Sequence, residues 1–153
     1  MLGEGDRAPD FELADLTGVR RTPGPKPLLL AFFKVSCPTC QFTFPFIERL
    51  YRGRTKRDIA MYAISQDDAE STREFHTEFG ISLPTLLDKE DEGYPVSNAY
   101  GLTNVPSLFL VEADGKISRT LMGFEKKGLE ELGRRLGAEP FEDGEYVPEW
   151  KSG

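Results

Sequence analysis

The chain has two cysteines, Cys37 and Cys40, separated only by Pro38 and Thr39. Two thiols at that spacing can close to a disulfide and reopen, carrying two electrons. The attacking species is a thiolate, so the surroundings must favour a negative sulfur. An apolar run, Leu28 to Phe33, leads into the pair, and Phe42, Phe46, Ile47 and Leu50 follow at helical spacing. The expected arrangement is strand, sharp turn, cysteine pair and helix. A helix N-terminus carries unpaired N–H groups and roughly half a positive charge. Cysteines placed there have pKa values lowered from ~8.5 into the range ~3.5–7.5. Cys37 comes first and is read as the nucleophile. Cys40, one turn on, is read as its disulfide partner. Pro38 suits the first helical turn, where a missing N–H costs nothing.

The rest of the composition narrows the chemistry. A length of 153 residues suits one domain with a sizeable core. Two cysteines are too few for a disulfide scaffold. Together with His76, the only histidine, they leave a four-ligand zinc site one ligand short. No metal and no organic cofactor is therefore expected. A net charge of −7 disfavours nucleic acid, whose phosphates need Lys and Arg. The local basic cluster Arg52, Arg54, Lys56 and Arg57 is read as a solvated helix-to-strand loop. No apolar run approaches the ~20 residues of a membrane span. The opening Met1 to Leu13 lacks the basic and apolar regions of a secretory signal. The expectation is a cytoplasmic monomer with its pair held mostly as dithiol.

Around the pair the sequence predicts a mixed α/β order. Phe11 and Leu13 alternate in strand fashion, Asp15 to Gly18 reads as a turn, and Val19 to Thr22 as a returning strand. Pro23, Gly24, Pro25 and Pro27 then break regular structure. Leu28 to Phe33 is continuous, as in a strand buried on both faces. Pro45 would kink the helix after Cys40. Ile59 to Ile64 is a second apolar strand. Asp67 and Glu70 have capping-box spacing, ahead of a helix carrying Ala69, Phe75 and Phe79 and stopped by Gly80. His76 on that helix is read as a surface or boundary residue. Asp88, Glu90, Asp91 and Glu92 are read as a solvated acidic loop, out of register for a calcium hand. Val96 to Tyr100 is a short helix. Ser107 to Val111 and Ile117 to Met122 are strands joined by the turn Ala113-Asp114-Gly115-Lys116. Leu129, Leu132 and Leu136 form the apolar stripe of a last helix ended by Gly137. Residues 138–153, acidic and aromatic, are an arm or tail beyond a domain of residues 1–137. The arm is expected to lie across that domain.

This order resembles the thioredoxin fold over roughly residues 5 to 137. Beyond Cys-Pro-Thr-Cys, Pro45 matches that fold's kink proline. Tyr100 to Leu110, with Val105-Pro106-Ser107 inside it, is similar to the stretch holding the family's cis-proline and central strand. Asp114-Gly115-Lys116 and Gly123 resemble the later hairpin and glycine. The opening Gly5-Asp6-Arg7-Ala8-Pro9-Asp10-Phe11 is similar to the TlpA-like and peroxiredoxin-related (AhpC/TSA, redoxin) branches, which add an N-terminal hairpin.

The resemblance implies a thiol–disulfide oxidoreductase with a central mixed sheet flanked by helices. It implies a cis bond before Pro106, facing the cysteines, with the Val105 backbone open to strand-like pairing with substrate. Pro38 and Thr39 complete the implied substrate contacts. Substrates would be protein or small disulfides, and an external thiol reductase would restore the dithiol. Three positions depart from the pattern. Ser36 stands where thioredoxins carry tryptophan, Ala31 replaces a buried carboxylate, and Thr43 replaces a glutamate common in TlpA-like proteins. The proton acceptor for Cys40 is then water. Phe33, Phe42 and Phe44 are candidates for an apolar docking rim. Two other readings are a peroxiredoxin-type peroxidase and a non-enzymatic redox-sensing or binding module. The peroxidase pattern needs Thr or Ser three positions before its nucleophile, but Lys34 stands there before Cys37.

Overall fold

The computed structural model describes residues 1–153. The apolar run forms β3 (Leu28–Phe33), buried along its whole length. Alternation along the strand divides its side chains between two faces. Leu29, Ala31 and Phe33 enter one core, and Leu28, Leu30 and Phe32 enter the other. On one side β3 pairs in parallel with β4 (Ala60–Ser65). On the other it pairs antiparallel with β6 (Ser107–Val111). Outward from β4 lie β5 (Thr85–Leu87), then β1 (Leu13–Asp15) and β2 (Arg20–Arg21). Outward from β6 lies β7 (Ile117–Met122). The seven-stranded mixed sheet has the order β2-β1-β5-β4-β3-β6-β7. The N-terminal hairpin expected from Phe11 to Thr22 thus caps one edge.

Three helices cover the first face: α1 (Pro38–Gly53), α2 (Ala69–Phe79) and α4 (Lys126–Leu136). Phe44, Ile47 and Leu50 from α1 meet Phe75 from α2 and Leu129, Leu132 and Leu136 from α4 in one apolar cluster. The second face is closed by the short α3 (Pro95–Ala99), which brings Val96, and by Tyr100 just beyond it. Ala8, Leu2 and Phe11 from the N-terminal segment fill the remainder. Tyr100 sits among Phe11, Phe32 and Phe109, with ring centroids 6.2, 5.3 and 4.9 Å away.

Several polar residues behave differently from the sequence reading. Helix α2 is capped by Asp68, not Asp67: Asp68 is in extended conformation and its Oδ1 accepts from the Ser71 N–H at 2.8 Å. Asp88 is not solvated. It is fully buried and accepts from the N–H groups of Val96 and Ser97 and from the Ser97 hydroxyl. That satisfies orphan donors at the start of α3, where water does not reach. The acidic residues after it, Glu90–Glu92, form an exposed 3₁₀ turn. The basic cluster is only partly loop. Arg52 belongs to α1 and pairs with Glu48, and the Arg54 guanidinium lies 4.3 Å from the centroid of the Tyr51 ring.

Residues 138–153 return across α1. Phe141 packs on Phe46 and Phe124, and Val147 is buried. Arg49 donates from both Nη1 and Nη2 to the Glu145 carboxylate at 2.6 and 2.9 Å, the fork geometry that holds planar pairs in register. The segment ends in β9 (Trp150–Lys151), antiparallel to β8 (Phe124–Glu125). Of the three aromatics only Phe141 serves as an anchor. Tyr146 and Trp150 stay 91% and 61% exposed.

Candidate active site

β3 delivers the chain to the start of α1 through Lys34, Val35 and Ser36. Four hydrogen bonds fix this turn. The Cys37 N–H donates to the Lys34 carbonyl and the Gln66 N–H to the Phe33 carbonyl. The Val35 N–H donates to Asp67 Oδ2 at 2.8 Å, and Gln41 Nε2 donates to the Val35 carbonyl at 2.9 Å. Asp67 is available for this because Ser65 and Thr72 tie β4 to α2, and its own N–H bonds to Ser65 Oγ.

Cys37 is the N-cap of α1, with Pro38 in the first turn. Its Sγ accepts from the Cys40 N–H at 3.1 Å and lies 3.4 Å from the Val105 carbonyl oxygen. It is half-buried, whereas Cys40 is fully buried. Burial pushes the Cys40 thiol far above the ordinary range, and the neighbouring Cys37 pushes it the same way. The pair is therefore asymmetric, with one sulfur reachable from solvent and one held beneath it as a thiol. Helix α1 continues through Pro45 to Gly53 without a break. Thr43, fully buried, donates its hydroxyl to the Thr39 carbonyl at 2.6 Å.

The Val105–Pro106 bond is cis, and Pro106 is buried beside the pair's turn. Val105 thus presents its carbonyl to Cys37 from the loop before β6. The Gly123 N–H reaches across to the Pro106 carbonyl at 2.8 Å. Thr39 donates its hydroxyl to the Ser152 carbonyl at 2.6 Å. Cys37, Cys40, Pro38, Thr39, Val105 and Pro106 are thus gathered at one end of the central strands. His76 is elsewhere, with Nε2 2.9 Å from Thr85 Oγ1. Phe33 and Phe44 form no docking rim: both are fully buried, with tilted rings whose centroids lie 4.4 Å apart in the core. Phe42 is half-buried under Lys151, whose Nζ lies 5.2 Å from the ring centroid.

Residues 4–120 match the sequence profile of the AhpC/TSA family. The chain belongs to this family. Among curated relatives it is 31% identical over 124 residues to the thiol-disulfide oxidoreductase ResA of Halalkalibacterium halodurans, covering 78% of this chain and 68% of that one. It is 29% identical over 123 residues to ResA of Geobacillus thermodenitrificans, covering 78% and 69%. Its fold matches the thioredoxin domain of a thiol-disulfide oxidoreductase from Bacteroides vulgatus, with TM-score 0.76, 22% identity and coverage of 88% and 98%. A thiol:disulfide interchange protein from Bacteroides sp. matches with TM-score 0.74, 22% identity and coverage of 90% and 92%. This is the thioredoxin fold expected from the sequence. No helix of this family member is long and apolar enough to cross a membrane.

The sequence reading missed Asp67 and Gln41 as braces of the active turn. Gln41 follows Cys40 directly, so its closeness was visible, but its target at Val35 was not. Asp67 lies 32 positions from Val35 and gives no local signal.

Proposed function

We propose that this protein exchanges electrons with protein disulfides through Cys37 and Cys40, and that it acts as a thiol–disulfide oxidoreductase. The observation that carries this reading is the asymmetry of the pair: a solvent-reachable Cys37 at the helix cap above a buried Cys40. The names of its ResA relatives support it.

The Cys37 thiolate attacks one sulfur of a substrate disulfide, R–S–S–R′. A Cys37–S–S–R bond forms, the S–S bond of the substrate breaks, and R′ leaves as a thiolate that takes a proton from water. The Cys40 N–H and the positive end of a sixteen-residue helix face the attacking anion. Cys40 then attacks Cys37 Sγ. The Cys37–Cys40 disulfide forms, R departs as a thiolate, and the proton leaving Cys40 ends on that thiolate by way of water. Two electrons have passed to the substrate, and the enzyme is oxidised. Burial keeps Cys40 protonated until that step, so it does not compete as a nucleophile.

Val105 serves as the docking edge. Its backbone precedes the cis peptide and faces Cys37, so a substrate strand can pair there. Thr39 and Pro38 border the same groove. The chain has no third thiol, so an external thiol reductase returns the electrons.

With dithiothreitol as electron donor, the protein is expected to accelerate insulin disulfide reduction in proportion to its concentration. A rate equal to that of dithiothreitol alone, from a protein whose two thiols titrate normally with Ellman's reagent, would overturn the proposal.

A further inference from the structure

The groove assigned to substrate already holds a piece of this chain. Ser152 accepts a hydrogen bond from Thr39, inside the cysteine turn, at 2.6 Å. Gly153 lies so close to the Val105 loop that a Cβ on it would sit 2.3 Å from the Val105 carbonyl oxygen. The Lys151 carbonyl passes over Gly123, where a Cβ would be only 2.2 Å away. Gly123 has φ +70°, a conformation that itself favours glycine. The segment thus touches all three elements framing Cys37: the cysteine turn, the Val105 loop and the glycine after β7.

The root and tip of this segment are held very differently. At the root, Glu145 is forked by Arg49, and Val147 is buried. At the tip, residues 149–153 are all exposed. They are held by the Lys126 N–H to the Glu149 carbonyl at 3.0 Å, the Lys126–Glu149 ion pair at 3.7 Å, the two-residue β8–β9 pairing, the Lys151 ammonium over the Phe42 ring and the Thr39 contact. Exposed hydrogen bonds of this kind contribute little each, because water replaces them. The geometry is that of a strap with a fixed root and a releasable end.

We propose that residues 149–153 dock as an intrachain strand in the polypeptide groove beside Cys37, competing with protein substrates. This rests on the reading of Val105 and Thr39 as the docking edge. A disulfide within a polypeptide must displace the strap. A small disulfide reaches the half-exposed Cys37 sulfur with the strap in place. The strap therefore selects against polypeptides that pair poorly with the groove.

Two measurements on the full chain test this. Lys151 stands opposite Phe124, two positions from the Lys126–Glu149 hydrogen bond, where an antiparallel ladder again exchanges bonds. Lys151→Pro removes a donor there and also lifts the ammonium from the Phe42 ring, loosening the strap on both counts. It is expected to raise kcat/KM for insulin roughly three- to tenfold, the factor that loss of one or two modest hydrogen bonds produces. The value for Ellman's reagent should stay within about twofold, since a small disulfide displaces nothing under this proposal. Equal rates for insulin in both proteins, or a lower rate in the variant, would overturn the proposal.

The second readout needs no turnover. Trp150 is the only tryptophan and reports the strap directly. Cys40→Ser protein is coupled at Cys37 to a ten-residue peptide carrying a pyridyl disulfide, releasing pyridine-2-thione. Trp150 anisotropy is expected to fall, but to stay unchanged when cysteamine is transferred from its own pyridyl disulfide instead. Unchanged anisotropy once the peptide is coupled contradicts the strap. Should the exchange mechanism itself fail in turnover assays, this measurement still shows whether peptide and strap exclude each other.

Discussion

Replacing Cys37 with serine is expected to lower protein-disulfide turnover by roughly a thousandfold or more, to the rate of dithiothreitol alone. A serine hydroxyl at that cap keeps the hydrogen bond from the Cys40 N–H but is not ionised at neutral pH. The other sulfur cannot take over, because Cys40 is fully buried and its thiol is held protonated. Stability should change little, since Cys37 is only half-buried and serine is itself a favoured N-cap residue. The check is the insulin assay together with a urea unfolding curve. A variant that unfolds like wild type and still reduces insulin at more than about a tenth of the wild-type rate contradicts the assignment of Cys37 as nucleophile.

The second large effect is on stability and centres on Glu48. Its side chain is buried in the middle of α1, yet it accepts four hydrogen bonds. These come from Arg52 Nε at 2.5 Å, Ser82 Oγ at 2.5 Å, and the N–H groups of Ser82 at 2.9 Å and Leu83 at 3.0 Å. The carboxylate thereby ties α1 to the segment that enters β5. Glu48→Leu leaves the buried Leu83 N–H without an acceptor, at about 1–3 kcal/mol, whereas the exposed Ser82 can turn to water. The Arg52 guanidinium is mostly exposed and returns to water, so the expected loss is about 1–3 kcal/mol of unfolding free energy. Urea unfolding reads it, and a loss below about 1 kcal/mol would contradict this account of the contact. The same group sets a pH dependence. Burial pushes the Glu48 pKa up, but the donors from Ser82, Arg52 and Leu83 outweigh it and hold the pKa below the ordinary value. A folded-state pKa below the unfolded one adds stability at pH above the unfolded value, about 4.3. That stability is lost as pH falls through the folded value. The difference in stability between wild type and Glu48→Gln should therefore be constant near neutrality and shrink on acidification below about pH 4.3.

The sheet and its helices were legible because their signals are local. β3 reads as six consecutive apolar residues, and the leucines of α4 repeat at helical spacing. The cysteine turn was legible because the reacting groups lie within one helical turn of each other. What was misread depends on partners distant in sequence. Asp67 and Asp68 are adjacent acids, and only the fold decides that one caps α2 while the other holds Val35. Glu48 carries no local sign of its role, because two of its donors are 34 and 35 positions away. Asp88 sits in an acidic run that suggests solvent, but it faces the start of α3. Phe33, Phe42 and Phe44 share one composition, and only packing separates the two buried rings from the half-buried one. The path of residues 138–153 has no periodicity at all. It follows from Arg49, Phe46 and Phe124, none of them near it in sequence.

The central claim is that the outer sulfur attacks and the inner one resolves. Incubating Cys40→Ser with oxidised insulin and mapping the product by mass spectrometry tests it most directly. The structure predicts a one-to-one adduct in which one insulin molecule is bonded through a single sulfur to Cys37, its displaced sulfur left as a free thiol, and which dithiothreitol releases. A Cys40→Ser protein that forms no adduct, yet reduces insulin at the wild-type rate once dithiothreitol is supplied, would contradict it.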